Sequence, residues 1–516
     1  MSVRVSRAGT QKARDKRSPQ LFDGDPQRRR LPDGFVVELA PNVTVGDDGG
    51  TLVCSFPEII GLLADRGRAL LHGRRMTVDG PETAQLVRDL MDAGLAHPVV
   101  AELPLADSDD ITVVIPVKDR PRELTRLLDS LGGRLHTIVV DDGSDDPAAT
   151  KDITQAHGCR VVLLPENIGP GGARNAGLRE VTTGLVAFVD SDVVAEPDAL
   201  LMLARHFADP AVGVALPRVI GLFEGDRTTW LGRYENSRSS LDLGELPSFV
   251  HAGSAAPWAP GTVTINRTAV IRDGFDESMQ VGEDVDIVFR LGLDGWRTRF
   301  DPTVTVRHDH RATLGKWFRR KVFYASSAEP LNARFPYYVV PSLLTATDLG
   351  LIAAALAQRR WSVPVIGGLA ALSAVRTVRR LRHAGAVRGA PVPEATAVAA
   401  RSAWGHLQLL GLHVCSLLVR QWWPAAAVAA VFSRRVRRAV AVAAVVDAVV
   451  FRRRNRADLD LPRYFVGRRL DDVAFGFGWW LGAWRARSPA SVLPDLRGVE
   501  LPRSRTDLIT FTRPAR

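Results

Sequence analysis

Short apolar runs alternate with helical patterns between Asp110 and Asp301, and this alternation constrains the fold more than any other feature of the sequence. The runs ITVVIPV, HTIVVDD, CRVVLLP and GLVAFVDSD are separated by segments such as RELTRLLDSL, which has helical periodicity. Continuous apolar strands joined by helices are typical of a parallel sheet with right-handed crossovers. Because such sheets bind ligands beyond the carboxyl ends of their strands, we expect a catalytic α/β block here.

The length of 516 residues leaves room for three or four domains of about 150 residues each. Apolar residues make up 46% and charged residues 24%, which excludes a wholly disordered or fibrous chain. Cys54, Cys159 and Cys415 lie far apart in sequence. Their spacing argues against a disulfide framework or a cysteine-built zinc site, and it fits a reducing cytosol.

The formal net charge of +10 is unevenly distributed. Residues 1–30 carry +6 and residues 336–516 carry +17, which leaves −13 for the middle of the chain. The first thirty residues have no apolar segment, so they indicate a disordered basic arm rather than a signal peptide. The tail contains 27 Arg and no Lys against ten acidic residues. We expect such a tail to meet an anionic surface, either membrane lipid or nucleic acid.

A small domain is predicted over residues 31–100. FVVELAPNVTV and TLVCSF indicate two strands joined by a Gly/Asp turn, and two helices are predicted over IIGLLADRGRALL and ETAQLVRDLMDAGL. This order resembles the winged-helix domains that recognise precursor peptides in ribosomal peptide-modification systems. A docking domain without a peptide ligand fits the pattern equally well.

The tail over residues 335–516 alternates apolar blocks with Arg clusters and is predicted to be helical. Most of its apolar blocks are shorter than a membrane span requires. Apolar helices edged by Arg and Trp are typical of interfacial membrane anchors. We therefore expect a cytoplasmic protein associated with the cytoplasmic face of the membrane, with a soluble helical domain as the alternative. Nucleic acid is disfavoured, since no basic module interleaved with aromatics is present.

Polar residues follow the first two strands of the predicted sheet. The first strand reaches Pro116 and leads into Lys118-Asp119-Arg120, and the second leads into Asp141-Asp142-Gly143-Ser144. Carboxylates at such strand ends accept hydrogen bonds from a nucleobase N–H or a ribose hydroxyl. Asp-Gly-Ser is also a common surface turn, so this motif alone leaves both interpretations open.

The third and fourth strands lead into two further motifs. A glycine-rich segment from Gly169 to Gly177 is predicted to precede a helix, from whose first turn Arg174 can reach a phosphate. Asp190 and Asp192 then follow an apolar strand at positions i and i+2. In an extended chain these carboxylates share a face, so they can hold a hard divalent cation such as Mg²⁺ or Mn²⁺.

Two more motifs complete the candidate site. Glu283, Asp284 and Asp286 stand at the start of a helix, where carboxylates often serve only as caps. A catalytic base needs a positioned carboxylate near the leaving group, and this cluster supplies one. His308 follows the strand-like TVTV and offers an imidazole as an additional metal or diphosphate ligand.

The ordered set of motifs, together with Gly274-Phe275-Asp276-Glu277, resembles the inverting glycosyltransferases of family 2 over about residues 110–325. The resemblance implies a nucleotide-diphospho-sugar fold, often called GT-A, over residues 108–330. Across the whole chain, phrases such as ENIGPGGARNAGL and VGEDVDIVFRL resemble the mycofactocin biosynthesis glycosyltransferases. Two departures are Asp119, where Asn is common, and Lys316-Trp317-Phe318-Arg319-Arg320 in place of a Gln-x-x-Arg-Trp motif.

The resemblance also implies the chemistry. Asp284 would be the general base, with Glu283 as its competitor. A Mg²⁺ or Mn²⁺ ion would be held by Asp190, Asp192 and His308, and the donor nucleotide would be bound by Pro116, Asp119, Asp141, Asp142, Arg174 and Asp190. The implied donor is UDP-glucose, and the implied acceptor is the peptide-derived redox cofactor premycofactocin or its glycosylated forms. The alternatives are a cell-envelope lipid or polysaccharide acceptor and a catalytically silent sugar-nucleotide or peptide-binding scaffold.

Overall fold

The structure is a computed structural model that describes most of the chain between residues 30 and 512. The described ranges are 30–55, 58–222, 229–251, 253–309, 313–336, 339, 342, 344–388, 395–495 and 504–512. The basic arm predicted over residues 1–30 lies outside the described residues except for Arg30.

The N-terminal domain contains two small antiparallel sheets. Its elements are β1 (Val36–Leu39), β2 (Val43–Val45), β3 (Thr51–Ser55), β4 (Glu58–Leu63), α1 (Asp65–Ala69), β5 (Arg75–Thr77), α2 (Pro81–Asp92) and β6 (Ala96–Pro98). One sheet has the order β5-β1-β6, and the other includes β4-β3-β2. The predicted Gly/Asp turn is confirmed by the antiparallel pairing of β2 with β3, but the single strand predicted over FVVELAPNVTV is wrong, because β1 and β2 belong to different sheets.

The helix predicted over IIGLLADRGRALL is wrong in its first half. Residues Glu58–Leu63 form β4, which pairs antiparallel with β3, and the helix begins only at Asp65. A short apolar run fits a buried strand as well as a helix, and here pairing with the neighbouring hairpin decides the outcome. The second predicted helix is confirmed as α2, whose Leu86, Val87 and Leu90 are buried.

The catalytic domain is built on one mixed sheet. Its strands are β7 (Ile111–Val117), β8 (His136–Asp141), β9 (Arg160–Leu163), β10 (Leu185–Val189), β11 (Val193–Val194), β12 (Val212–Gly221), β13 (Ser248–Phe249), β14 (Val263–Arg267) and β15 (Arg297–His308). The helices are α3 (Pro121–Leu131), α4 (Pro147–Ala156), α5 (Gly169–Leu178), α6 (Pro197–Ala204), α7 (Trp230–Ser237) and α8 (Glu283–Leu293). The sheet order is β11-β15-β12-β14-β10-β7-β8-β9, with β13 paired to β15.

The prediction of a parallel sheet is confirmed for β9, β8, β7 and β10 and for the parallel β12–β15 pair, and it is wrong for β14, β11 and β13. Strands β9, β8, β7 and β10 are parallel neighbours. Strand β14 then pairs antiparallel with both β10 and β12, and β11 pairs antiparallel with β15. The parallel half places the ends of β7, β8 and β10 at one edge, while the β10–β14 pairing brings the segment before β14 to the same edge.

The remaining chain is mostly helical. Its elements are α9 (Leu314–Ala325), α10 (Ala328–Arg334), α11 (Ala346–Ala357), α12 (Ser362–Arg388), α13 (Ala395–Ser416), α14 (Trp423–Phe432), α15 (Arg434–Arg454), α16 (Leu461–Ala486) and β16 (Ile509–Thr512). Among the described residues, no single helix is long and apolar enough to cross a membrane. The segments 403–421 and 423–432 satisfy length and composition only as a pair bent by 90°.

The helical region packs closely on the catalytic domain. A Cβ atom at Gly478 or Gly482 of α16 would lie 2.2 or 2.5 Å from a carbonyl oxygen of Val322 or Ser326, so only glycine permits this approach. On α9, next to Val322, Lys321 Nζ lies 3.0 Å from Glu235 Oε1 and 3.7 Å from Asp471 Oδ1. The predicted helical region is therefore an integral part of the protein's tertiary structure.

The prediction that residues 335–516 are helical throughout is wrong at the end of the tail. Strand β16 pairs antiparallel with β4, from Ile509↔Leu63 to Thr512↔Ile60. Leu508 and Ile509 are buried in the core of the N-terminal domain. The last described strand of the chain thus completes the sheet that begins with β2.

Two buried ion pairs fasten α2 to the catalytic sheet. Arg88 donates to both carboxylate oxygens of Asp209, at 2.7 and 2.6 Å. In the second pair the acid is on α2 and the arginine on the sheet: Arg297 of β15 donates to both oxygens of Asp92, at 2.7 and 2.6 Å. Paired charges at these positions fix both the distance and the orientation of the two domains.

Candidate active site

The loops after β7 and β8 interlock at the carboxyl edge of the sheet. The backbone N–H of Asp119 donates to Ser144 Oγ at 3.0 Å, and the Asp119 carboxylate accepts from the Asp145 N–H at 2.7 Å. Asp119 has a φ of 53°, a left-handed conformation that Asp tolerates better than most residues. The Asp119 side chain is therefore exposed at the carboxyl edge of the sheet, where the sequence predicts nucleotide binding.

Asp141 and Asp142 both shape the neighbouring loops. Asp141 Oδ1 accepts from the Ser144 N–H at 2.7 Å, and Asp142 Oδ1 accepts from the Ile168 N–H at 2.7 Å. Burial raises the pKa of Asp142. Gly143 between these elements has a φ of 66°, and a Cβ there would lie 2.6 Å from the backbone of Glu166. The Asp-Gly-Ser motif is thus a close-packed loop beside β9 rather than a plain surface turn.

The glycine-rich segment, predicted to be a loop ahead of a helix, is itself helix α5. Arg174 in its middle is buried and donates to Glu283 Oε1 at 2.9 Å and to Asp190 Oδ1 at 2.7 Å. Burial opposes its charge, but the two carboxylates outweigh burial and raise the pKa of Arg174. Arg174 therefore joins the two acidic motifs, and its contact with a donor phosphate stays a prediction.

Asp192 lies at the end of β10, between an arginine and an imidazole. Arg120 bonds to Asp192 Oδ2, and His308 Nε2 lies 3.3 Å from Asp192 Oδ1. The antiparallel pairing of Val193 with His308 is what brings the two motifs together. Burial opposes ionisation of Asp192, but His308 and Arg120 outweigh it and lower its pKa below the usual value.

The residues present fit a divalent cation in donor chemistry. Two carboxylates, Asp190 and Asp192, and the imidazole of His308 are the ligand types that Mn²⁺ accepts. Within the described ranges, no three His, Cys, Asp or Glu side chains are already arranged as a metal site. Protein cations hold these carboxylates instead, because Arg174 pairs with Asp190 and Arg120 pairs with Asp192.

The three acids at the start of α8 have different environments. Glu283 pairs with Arg174, and Asp286 pairs with Arg290 at 2.8 Å and with Arg334 at 2.9 Å. Asp284 forms no ion pair with any described residue. It accepts hydrogen bonds from the backbone N–H groups of Gly261 and Val285, both at 2.8 Å. Of the three, Asp284 is the acid left available for proton transfer.

The environment of Asp284 also adjusts its basicity. Burial, and next the charge of Glu283, raise the pKa of Asp284 from 3.8 to about 6. A base with a pKa near the working pH is ionised and still accepts a proton effectively. The segment before β14 links it to the rest of the site, since Arg174 donates to Gly261 O at 3.4 Å and Asp190 N–H donates to Thr262 O at 2.9 Å.

Sequence reasoning missed several side chains at this site. Arg120 directly follows the first motif, but nothing in the sequence indicated its contact with Asp192. Tyr324 of α9 also had no sequence signal. Burial raises the pKa of Tyr324 to about 12, and the charges of Asp190 and Asp284 act in the same direction. Tyr324 lines a cavity that also contacts Glu235, His308, Trp317 and Lys321.

The structure thus brings together most of the predicted site residues. Arg174 joins Glu283 to Asp190, and Asp284 is linked to Arg174 through Gly261. Asp192 pairs with His308, and the charges of both act on Asp190. Asp119, Asp141 and Asp142 form a second group in the adjacent loops. Pro116 contributes to the strand itself, as its partner in the β7–β8 register is Val140.

Comparison with known families identifies two matching models. The model described as glycosyl transferase family 2 matches residues 112–257, which include both loop motifs and the Asp190–Asp192 pair. The model described as glycosyl transferase family group 2 matches residues 185–433 and so extends into the helical region. Together with the observed sheet, these matches confirm the GT-A fold.

Several relatives of the chain are named as glycosyltransferases. The chain is 40% identical over 484 residues to pre-mycofactocin glycosyltransferase of Mycobacterium tuberculosis, covering 91% of this chain and 99% of that protein. It is 26% identical to an N-acetylglucosaminyltransferase of Sinorhizobium fredii, covering 52% of this chain and 69% of that protein.

Among solved structures, similarity extends to a mannosyltransferase of Pyrobaculum calidifontis in complex with GDP-mannose and Mn²⁺. That likeness has a TM-score of 0.32 and 17% identity, and covers 60% of this chain and 91% of that one. Glucosyl-3-phosphoglycerate synthase of Mycobacterium tuberculosis has a TM-score of 0.32 and 20% identity, and the coverage is 44% and 79%. On the strength of the near full-length identity to the mycobacterial enzyme, the chain belongs to glycosyltransferase family 2, in the group that includes pre-mycofactocin glycosyltransferase.

Proposed function

We propose that this glycosyltransferase moves glucose from UDP-glucose onto premycofactocin, the peptide-derived redox cofactor, or onto its glycosylated forms. The observation that carries this proposal is the 40% identity to pre-mycofactocin glycosyltransferase over 99% of that protein's length. The similarity includes all three regions of the chain, so it extends beyond the catalytic domain that family 2 enzymes share.

The proposed chemistry is a single in-line displacement with inversion at the anomeric carbon. Asp284 removes the proton from the attacking acceptor hydroxyl, and its backbone hydrogen bonds hold the carboxylate in place. Arg174 neutralises Glu283 and Asp190, so the negative charge near the donor diphosphate is reduced. Asp119 and Asp142, which follow β7 and β8, would accept hydrogen bonds from the nucleoside.

Asp190, Asp192 and His308 would hold the divalent ion. When bound, such an ion stabilises the charge that develops on the leaving diphosphate. Asp192 already lies against the His308 imidazole at 3.3 Å, which supports this assignment. Arg120 would have to give up Asp192 for the carboxylate to become a metal ligand.

The surface of the helical region supports the proposal that an anionic membrane is a partner. Apolar side chains of this region, including Val363, Val431 and Phe432, are exposed, and arginine clusters stand beside them. The same feature favours the second candidate function, transfer to a cell-envelope lipid or polysaccharide. In either case the enzyme would work at the cytoplasmic face of the membrane.

The purified enzyme should be incubated with a panel of nucleotide sugars and with premycofactocin, a lipid acceptor and a polysaccharide acceptor, and products should be detected by mass spectrometry. We expect a mass increase of one or more hexose units on premycofactocin with UDP-glucose. Transfer only to the lipid or the polysaccharide would replace the proposed acceptor. Transfer from another nucleotide sugar would replace the proposed donor. An Asp284→Asn protein is the matched control for product formed without the active site.

A further inference from the structure

Two helix–helix turns of the C-terminal region lie side by side. One turn joins α11 to α12 and includes Gln358, and the other joins α14 to α15 at Ser433. Gln358 Nε2 donates to the carbonyl oxygen of Arg435 at 2.9 Å, which connects the two turns. Arg437 donates to the Ala430 carbonyl oxygen at 2.7 Å and closes the second turn. We call residues 358–365 and 428–438 the tip.

The apolar side chains of the tip face solvent. Phe432 is 85% exposed, Val363 is 76% exposed and Val431 is 71% exposed. Trp361, Val365 and Val428 are exposed as well. A single exposed apolar residue is ordinary, but a group of them on adjoining turns marks an interaction surface.

The charge of the tip is entirely positive. Residues 349–446 contain thirteen arginines and one acid, Glu394, and no lysine. The tip itself carries six exposed arginines, and none of them forms an ion pair with an acidic side chain in the described part of the chain. The six are Arg359, Arg360, Arg434, Arg435, Arg437 and Arg438.

The exposed apolar side chains and the arginines of the tip together match the acyl boundary and the charged headgroups of an anionic lipid surface. Apolar side chains at the end of a helix enter the acyl boundary, while adjacent guanidinium groups bind lipid phosphates. Helix α14 has ten residues and so spans about 15 Å, roughly half of a hydrocarbon core. The tip can therefore reach into one leaflet.

We propose that the tip is the membrane-binding site of this enzyme and that it inserts into the headgroup region of a bilayer rich in anionic phospholipid. The inference rests on the membrane association proposed above and adds which surface makes the contact. The helical region is tied to the catalytic domain through Lys321, Glu235 and Asp471. Insertion of the tip consequently sets the orientation of the catalytic domain toward the bilayer.

Flotation of the full-length protein with vesicles tests the proposal. The vesicles contain either phosphatidylcholine alone or equal parts of phosphatidylcholine and phosphatidylglycerol. We expect the wild type to float with the anionic vesicles and to be released by high salt. The double variant Val431→Ser with Phe432→Ser should lower the partition coefficient at least about tenfold, since two apolar side chains lose their burial in lipid. Arg434→Gln with Arg435→Gln should lower it by about fivefold for each charge.

Trp484→Ser is the matched control. Trp484 is 76% exposed, but it lies on α16 two residues after Gly482, whose backbone packs against Ser326, and it belongs to neither turn. This variant should float like the wild type. All variants should keep wild-type transfer to a soluble acceptor, which shows that they are folded.

The possible contrary results are distinct. If the wild type floats and the tip variants float equally well, another surface binds lipid and the tip assignment is wrong. If the wild type ignores both kinds of vesicle, membrane association itself fails and the tip proposal falls with it. If the wild type instead forms a dimer by sedimentation equilibrium that Phe432→Ser abolishes, the tip is a protein interface.

Discussion

The Asp284 carboxylate accepts a hydrogen bond from the Gly261 N–H at 2.8 Å, and a Cβ on Gly261 would lie 2.8 Å from Asp284 Cβ. This close approach places the segment before β14 directly against the start of α8. It holds the carboxylate without a cation, in contrast to Glu283 next to it, which is bound to Arg174. The two adjacent acids therefore have different environments, and their roles can be tested separately by mutation.

Asp284→Asn should lower kcat by about 10² to 10⁴, because general-base assistance is lost. The affinity for UDP should remain nearly unchanged, as measured by titration calorimetry. Glu283→Gln should affect turnover less and thermal stability more, because it weakens the buried contact with Arg174. If Glu283→Gln alone abolished turnover with binding intact, the base would be Glu283 instead.

The pH dependence of kcat/KM should report the same group. With a pKa of about 6, Asp284 becomes ionised as the pH rises through 6, so kcat/KM should rise over that range and then level off. Initial rates measured from pH 4.5 to 8 at constant ionic strength check this profile. A flat profile between pH 5 and 7 would show that the base titrates with an ordinary carboxylate pKa.

Ionised Asp284 should also lower the stability of the folded state at neutral pH. Its folded-state pKa lies above its value of 3.8 in the unfolded chain, so the folded state binds the proton more tightly and loses stability as the pH rises from about 4 to 6. The shift corresponds to at most about 3 kcal/mol at pH 7. Asp284→Asn should therefore have a higher Tm than the wild type at pH 7.5, and the difference should shrink toward pH 4.5. A constant difference across this range would argue against the raised pKa.

Chelation should stop the reaction if Asp190, Asp192 and His308 hold a metal ion. Excess EDTA should abolish transfer, and Mn²⁺ or Mg²⁺ should restore it. Asp192→Ala should lose nearly all turnover in the presence of metal. Asp198→Ala, which removes an exposed carboxylate on α6, is the control and should retain activity. Full activity in EDTA would contradict the metal assignment.

Breaking the Arg88–Asp209 pair should destabilise the whole enzyme. Arg88→Met leaves Asp209 buried without its main partner, at a cost of about 3–5 kcal/mol. The double variant Arg88→Met with Asp209→Leu should recover much of that loss. Calorimetric unfolding of the three proteins gives the comparison. If the single variant unfolded like the wild type, the domain contact would contribute little to stability.

The sequence predicted the parts of the fold that depend on local pattern. The four apolar runs from Ile111 to Val189 are parallel neighbours as expected. Strands β7 and β10 are buried along nearly their whole length, whereas β9 at the sheet edge is half-exposed. Glu58–Leu63 was misread because its strand depends on pairing with β3 and β16. The antiparallel insertion of β14 was also missed, since register between distant segments leaves no local signal.

The candidate site shows the same difference between features with a local sequence pattern and features that depend on distant contacts. The acidic motifs were visible because carboxylates at strand ends and helix starts have few purely structural uses together. The contacts of Arg174 were not visible in the sequence, since its partners Asp190 and Glu283 are 16 and 109 residues away and only the folded chain brings them together. Arg120 and Tyr324 were missed because single residues of these types are common and carry no characteristic spacing.

The pairing of β16 with β4 joins residues that are separated by about 450 positions in the chain. During synthesis, Leu63 leaves the ribosome long before Ile509 is made. Until then, one sheet edge of the N-terminal domain stays unpaired and part of its core stays exposed. Loop closure over such a distance is slow, which makes the final strand a late step in folding. A chain that terminates early would leave this edge open to other strands, and the cell would be able to recognise the incomplete product by that edge.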